Sequence, residues 1–416
     1  MTVAAEILPL AETLAPADQQ ELSAAVRQAC ADRTSVYPIG GGTSLDFGLP
    51  AKQPGVGLSL ANLRRVVDYP ARDMTITVEA GITMTELAQT LAAERQWLPI
   101  DAPQADVATL GGVVATAFCG PRRYGCGTMR DYVIGISAVD GRGMPFKGGG
   151  RVVKNVAGYD FCKLLTGSLG TLGVITQLTL KIRPLPERSA LMVCDVADFA
   201  GAEKLLAALV NSGTTPAAIE LLTGPAWRDD LALGPIDRGA AARLVVGLEG
   251  TESEVAWMLE QLAAEWQAQG VRSSRALADD EAAELWSRLR EFPADREPPL
   301  VLKASVRPGR TTEFMQAVLK LDPNASLAAH AGNGIVIARF AEFQAADVSR
   351  RLIGVLQPAA AALGGHAVVL CSTLGDLTRQ AVWGCVDEAT AWMGRVKKQF
   401  DPQNILNPGR FVFSDG

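Results

Sequence analysis

At 416 residues the chain has room for two or three domains of about 150 residues each. A net charge of −6 with no long basic run argues against a nucleic-acid partner, and no apolar stretch approaches the ~18 residues of a membrane helix. Seven cysteines, an odd number without CxxC spacing, point to reduced thiols in a cytoplasmic setting and away from an iron–sulfur cluster or structural zinc within this chain.

The first residues, Met1 to Glu6, lack a basic stretch followed by an apolar core, so no secretory signal is expected. Residues 4–31 carry helical spacing, with Leu22, Val26 and Ala29 on one stripe. A strand over Ser35–Ile39 runs into Pro38-Ile-Gly40-Gly41-Gly42-Thr43-Ser44. From Gly40 to Ser44 this loop offers five consecutive N–H groups and two hydroxyls. No Lys follows in P-loop order, and no GxGxxG opens a helix. A pyrophosphate held here would be held by backbone amides in a different kind of loop.

Strands are predicted over 57–60 and 75–79, and a helix over 84–96 that buries Leu87, Leu91 and Ala92. Residues 103–131 then lose regular period. Pro103, Gly111, Gly112, Thr116, Gly120, Arg122, Arg123, Tyr124, Gly125 and Asp131 alternate glycine, small residues and a basic-aromatic cluster. Glycine tolerates φ > 0 and lets a ligand approach the backbone. A loop around a flat, phosphate-bearing molecule and a tight surface turn both fit this composition.

A strand over 133–139 follows, then a hairpin pairing 146–147 with 152–153 around Gly148–Gly150. Lys154 and Tyr159 precede a short helix over 160–166, and Gly167-Ser168-Leu169-Gly170-Thr171-Leu172-Gly173-Val174-Ile175 forms a third glycine-rich loop before a strand over 174–182. Beyond 188 two βαββ-like runs predict an antiparallel sheet with helices on one face. Residues 276–299 read as a solvated amphipathic helix. A last helix over 387–400 leads to Phe400-Asp401-Pro402-Gln403-Asn404-Ile405-Leu406-Asn407-Pro408-Gly409-Arg410. The expected domains are 1–187, 188–375 and a returning segment, 376–416.

The order PxGGGTS, LGGxxAT…RYG…RD, KNxAGYD…GSxGTLGVIT and the closing FDPQNILNPGR resembles the FAD-linked oxidases of the vanillyl-alcohol oxidase superfamily. The likeness is strong over residues 30–187 and good over 395–411. It implies an α+β protein: a two-part PCMH-type FAD-binding domain plus an α+β cap with an antiparallel sheet. It implies FAD contacts at Pro38, Gly40, Gly41, Gly42, Thr43, Ser44, Pro103, Gly111, Gly112, Thr116, Gly120, Arg123, Tyr124, Gly125, Asp131, Gly173, Val174, Ile175 and Asn407, and places Lys154 and Tyr159 near the flavin. The family's covalent flavin link uses a His near the first or second loop. The two His here, His330 and His366, come far later, so FAD is expected to be non-covalent.

Oxidising a 2-hydroxy acid needs an Arg fork for the carboxylate and a His or metal for the hydroxyl proton. Catalytic relatives carry HxGDGNxH and a later Glu-His pair. Here His330-Ala331-Gly332-Asn333-Gly334-Ile335-Val336-Ile337 keeps one His and no Glu-His pair follows, so no metal site is expected and no catalytic residue is assigned. Leu169 stands where catalytic relatives have Glu, which resembles the accessory FAD-binding (E-type) subunits of bacterial glycolate oxidases. That likeness implies a D-type flavin partner with the intact site and an F-type iron–sulfur partner. The implied reaction takes glycolate or D-lactate to the 2-oxo acid and passes electrons to a non-nicotinamide acceptor. It also implies a cytoplasmic protein that meets the inner face of the membrane only through those partners. The alternatives are a stand-alone FAD-dependent D-2-hydroxy-acid dehydrogenase and a scaffold that has lost flavin.

Overall fold

The structure, a computed structural model, describes residues 7–151, 158–228, 230, 232–237, 239–375, 377–385 and 388–413. The chain divides into two compact units. The first comprises Met1–Cys119, Thr128–Leu185 and Cys385–Gly416; the second comprises Gly120–Gly127 and Pro186–Gly384.

Besides a two-stranded ladder, Gln96–Trp97 with Arg183–Pro184, the described residues of the first unit form two sheets. In the smaller, the central strand Gly55–Ser59 pairs in parallel with Leu10–Leu14 on one side and Ser35–Ile39 on the other. Residues 10–14 are therefore strand, where the apolar spacing had suggested helix. Pro16 separates them from the true helix, Gln19–Asp32, because a proline at that point cannot sit inside a helical ladder. Asp18 caps this helix, accepting from the amides of Gln20 and Glu21 at 2.8 and 2.9 Å. Leu22, Val26 and Ala29 form its buried face, as their spacing requires.

The larger sheet is antiparallel and five-stranded: Val66–Asp68, Thr75–Glu79, Val174–Lys181, Val133–Val139 and Pro145–Gly149 in that order. The middle strand, Val174–Lys181, leaves the third glycine loop directly, so the sheet sets that loop's position. Its Val174, Ile175, Leu178 and Leu180 pack in the core with Leu110, Val113 and Val114 from the helix of the second loop. The second arm of the hairpin expected at 152–153, and Lys154, lie outside the described residues.

The second unit is built on one eight-stranded antiparallel sheet. Its order is Ser274–Ala278, Arg188–Val196, Ala242–Gly250, Ala218–Thr223, Ser326–His330, Ile335–Phe340, Leu300–Ser305 and His366–Ser372. Numbered along each half of the sequence, the strands run fourth-first-third-second and then second-third-first-fourth. Two βαββαβ units thus join edge to edge through their second strands, Ala218–Thr223 and Ser326–His330. One face carries the helices Phe199–Leu209, Glu252–Ala268, Thr311–Leu321 and a π-helical run, Val348–Leu356, continued by Gln357–Ala362. Leu205, Leu262, Phe314 and Leu352 drive them onto the sheet. Asp279–Glu291 covers part of the other face, burying Leu285, Trp286 and Leu289; this helix is shorter than the expected 276–299, because Ser274–Ala278 pairs as a strand and Phe292–Ala294 tightens to a 3-10 turn. A Cβ at Gly247 would lie 2.6 Å from the Trp286 ring, so glycine here lets the indole reach the strand.

Candidate cofactor-binding site

The three glycine loops and the closing segment of the first unit meet around an open cleft. The first loop supplies Pro38, Gly40, Gly41, Gly42, Thr43 and Ser44. Its glycines have a cause within the protein. A side chain at Gly40 would strike the Thr109 hydroxyl, and one at Gly41 the Val107 carbonyl. Gly42 sits at φ +78°, a left-handed conformation that glycine adopts without strain. Packing of the first loop against residues 107–109 therefore demands glycine at 40 and 41.

The second loop supplies Gly111, Gly112 and Thr116 from the short helix Leu110–Thr116. Thr109 caps that helix, accepting from the Gly112 amide at 3.3 Å. A Cβ on Gly111 would lie 2.8 Å from that of Ala80, whereas one on Gly112 would meet only the Thr109 hydroxyl, at 3.3 Å. The third loop supplies Leu169, Gly170, Gly173, Val174 and Ile175. Leu169 and Gly170 both hold positive φ, +52° and +67°. Asn407 of the closing segment donates its side-chain amide to the Leu169 carbonyl at 2.7 Å, tying tail to loop across the cleft wall.

The remaining residues singled out in the sequence lie elsewhere. Pro103 and Asp131 belong to the first unit but not to the cleft wall. Asp131 closes a capping box, accepting from the Thr128 amide at 2.7 Å and hydroxyl at 2.9 Å, and these bonds hold its pKa below the ordinary carboxylate value. Gly120, Arg123, Tyr124 and Gly125 pack with the second unit. There the Gly125 amide donates to the Ala217 carbonyl at 3.0 Å, and the Tyr124 ring covers Gly332. Tyr159 is 83% exposed, its ring 6.1 Å from that of Phe161.

Sequence reasoning did not single out Thr109 or Arg410 as wall residues. Thr109 carried a usable signal, a capping residue set immediately before Leu-Gly-Gly. Arg410 ends the recognised closing motif. Leu169 and Gly170 were inside the third motif, and their left-handed backbone is invisible in a residue string.

In the second unit His330 is buried, and its Nδ1 lies 2.8 Å from a carboxylate oxygen of Glu220, also buried. Its Nε2 has no hydrogen-bond partner among the described residues. Ile335 and Ile337, at positions where polar ligands would be needed, are buried in the apolar core of the sheet. Among the described residues no group of three His, Cys, Asp or Glu is placed to hold a metal ion.

A family model described as "FAD binding domain" matches residues 11–148. One described as "FAD linked oxidases, C-terminal domain" matches residues 185–365 and 385–411. The mitochondrial D-lactate dehydrogenase (cytochrome) of Arabidopsis thaliana is 28% identical over 433 residues, covering 95% of this chain and 72% of its own. Glycolate oxidase subunit GlcD of Bacillus subtilis is 25% identical, covering 97% of this chain and 89% of its own. Glycolate oxidase subunit GlcE of Escherichia coli is 36% identical over a shorter span, 41% of this chain and 48% of its own. Among solved structures, p-cresol methylhydroxylase with substrate bound superposes with a TM-score of 0.71 at 15% identity, over 97% of this chain and 88% of its own. At that identity the likeness is one of fold.

Proposed function

The chain belongs to the FAD-linked oxidases and is an FAD-dependent oxidoreductase, and from that premise we propose that it is the FAD-binding, E-type subunit of a complex oxidising glycolate or D-lactate to the 2-oxo acid. The observation that carries this reading is a contrast between the two units. The first has a full cleft walled by glycine loops, suited to a phosphate-bearing cofactor. The second has its sheet turn at 330–337 committed to structure: His330 to Glu220, Ile335 and Ile337 to the core.

The residues of the cleft fit FAD. Glycine backbone at 40–42 and 111–112 leaves room for close approach, and the wall is mostly uncharged apart from Arg410. Bound there, FAD supplies the two-electron acceptor for the alcohol. The chain's own part is to hold the dinucleotide without a covalent bond, through the loops at 38–44, 111–116 and 173–175 and through Asn407. In this reading residues 1–187 and 376–416 serve the cofactor and 188–375 the substrate side. A D-type flavin partner completes the substrate site and an F-type iron–sulfur partner takes the electrons. No described helix is long and apolar enough to cross a membrane, and we place the protein in the cytoplasm, reaching the membrane only through its partners.

A second reading, a stand-alone D-2-hydroxy-acid dehydrogenase, is favoured by one observation. The similarity to the A. thaliana D-lactate dehydrogenase runs over 95% of this chain, whereas the GlcE similarity covers 41%. Dye-linked oxidation of glycolate and D-lactate separates the readings. The purified flavin-loaded chain is expected to be nearly inactive alone and active when co-purified with the products of neighbouring genes. Full turnover by the chain alone establishes the second reading instead.

A further inference from the structure

Among the described residues Arg410 is the one charged side chain on the cleft wall, and it is only 7% exposed. It donates Nε to the Leu49 carbonyl at 3.2 Å and Nη2 to the carbonyls of Leu45 and, at 3.1 Å, Phe47. Its own carbonyl accepts from the Leu49 amide at 2.9 Å. The guanidinium thus sits beneath the stretch that continues the first glycine loop. Three neutral carbonyls orient it. No carboxylate among the described residues forms an ion pair with it, and its Nη1 makes no hydrogen bond to them. Burial pushes its pKa below the usual guanidinium value, and the charges of Tyr37 and of the nearby Asp46 carboxylate oppose that shift without reversing it.

A buried cation that no carboxylate pairs directly is costly, and an anion docking against it lowers that cost. A guanidinium fixed on two of its edges and open on the third suits a phosphate oxygen. Resting on the FAD reading above, we propose that Arg410 is the cation that receives the cofactor's pyrophosphate, so that the closing segment 401–411 is part of the cofactor site. Neutralisation of Arg410 by the cofactor favours the docked tail, and the docked tail raises affinity for the cofactor, by the reciprocity of linked equilibria.

The test compares ligands that differ in phosphate. Apoprotein is prepared from the parent, Arg410→Met and Arg410→Lys, and binding of FAD and of riboflavin is measured by fluorescence quenching, with circular dichroism to verify folding. Arg410→Met is expected to weaken FAD binding by about 10- to 100-fold, the range of a lost charge-assisted hydrogen bond. Riboflavin binding should change less than about threefold, and Arg410→Lys should recover part of the FAD loss. Equal loss for both ligands would reduce Arg410 to a brace for residues 45–49, and no loss for FAD would remove it from the site. Parent apoprotein that takes up no FAD overturns the cofactor reading itself. Hydrogen exchange on the parent needs no variant: amides of 401–411 should slow at least tenfold with FAD and not with riboflavin, and unchanged exchange overturns the coupling.

Discussion

Lys397 Nζ lies 2.5 Å from Asp401 Oδ2, one helical turn along, and both side chains are buried. The ammonium also donates to the carbonyls of Thr171, in the third glycine loop, and Leu406, at 2.8 and 2.9 Å. The carboxylate accepts from the amides of Ile405 and Leu406 at 3.0 and 2.7 Å. Burial lowers the Lys397 pKa and the Asp401 charge opposes that. One ion pair therefore fastens the last helix, the tail and the loop. Lys397→Met leaves Asp401 buried without its cation and should cost about 3–5 kcal/mol in urea unfolding. The double variant Lys397→Met, Asp401→Asn should lose less than Lys397→Met alone. A single variant within 1 kcal/mol of the parent would mean that the pair does not hold the tail.

Two glycines of the cleft should respond differently to the same change. Gly41→Ala drives a methyl into the Val107 carbonyl and is expected to give insoluble or poorly folded protein. Gly112→Ala has only the Thr109 hydroxyl nearby, at 3.3 Å, and should fold while losing flavin. The ratio of flavin to protein absorbance in the two soluble fractions checks both. Full yellow occupancy in Gly112→Ala removes that residue from the cofactor site.

Among the described residues the cleft wall holds no His, Cys or Tyr, the side chains suited to a flavin bond. Acid or heat should therefore release all flavin into the supernatant. Fluorescence that stays with the denatured protein band would contradict this.

His330 should contribute through Glu220 rather than through a metal. Glu220→Leu strands a buried imidazole and should destabilise the second unit by about 1–3 kcal/mol. His330→Ala should leave metal content unchanged and near zero. Stoichiometric zinc or manganese in the parent, lost together with activity in the variant, would reveal ligands not recognised in the sequence and strengthen the stand-alone reading.

Asp131 is expected to matter for stability and not for flavin. Asp131→Ala removes the acceptor of a capping box, at about 1 kcal/mol. Because its folded pKa is depressed, the contribution is present above the unfolded value, about pH 4, and is lost as pH falls through the folded value. Thermal melts of parent and variant should converge below that pH. A weakened flavin affinity in Asp131→Ala would instead give it a cofactor role.

The α+β class and the antiparallel sheet are legible in the sequence because alternation over stretches such as 174–182 is a local property. The glycine loops are legible because close backbone approach tolerates little else. The sequence does not disclose why Gly40 and Gly41 are glycine, since the atoms they avoid belong to Val107 and Thr109, in a different loop. Nor does it disclose that 120–127 leave the first unit, or that Glu220 meets His330 across 110 residues. Those facts depend on strand pairing at long range, which no local period encodes. The helical stripe over 22–29 is real, but Pro16 marks a boundary that the apolar spacing of 4–31 hid.

The strand Ser35–Ile39 stands at one end of its three-stranded sheet, and the tail covers its outer edge. The Val36 amide donates to the Ile405 carbonyl at 2.7 Å, and the Val36 carbonyl accepts from the Asn407 amide at 2.9 Å. Almost the entire second unit, 186–384, is synthesised between these partners. During synthesis the large sheet can close while that early strand still waits with open hydrogen-bonding groups, an aggregation hazard. Newly made chains should thus pass through a stage in which amides of 188–250 resist pulse-labelled exchange and Val36 does not. The half that carries the glycine loops is then expected to mature last.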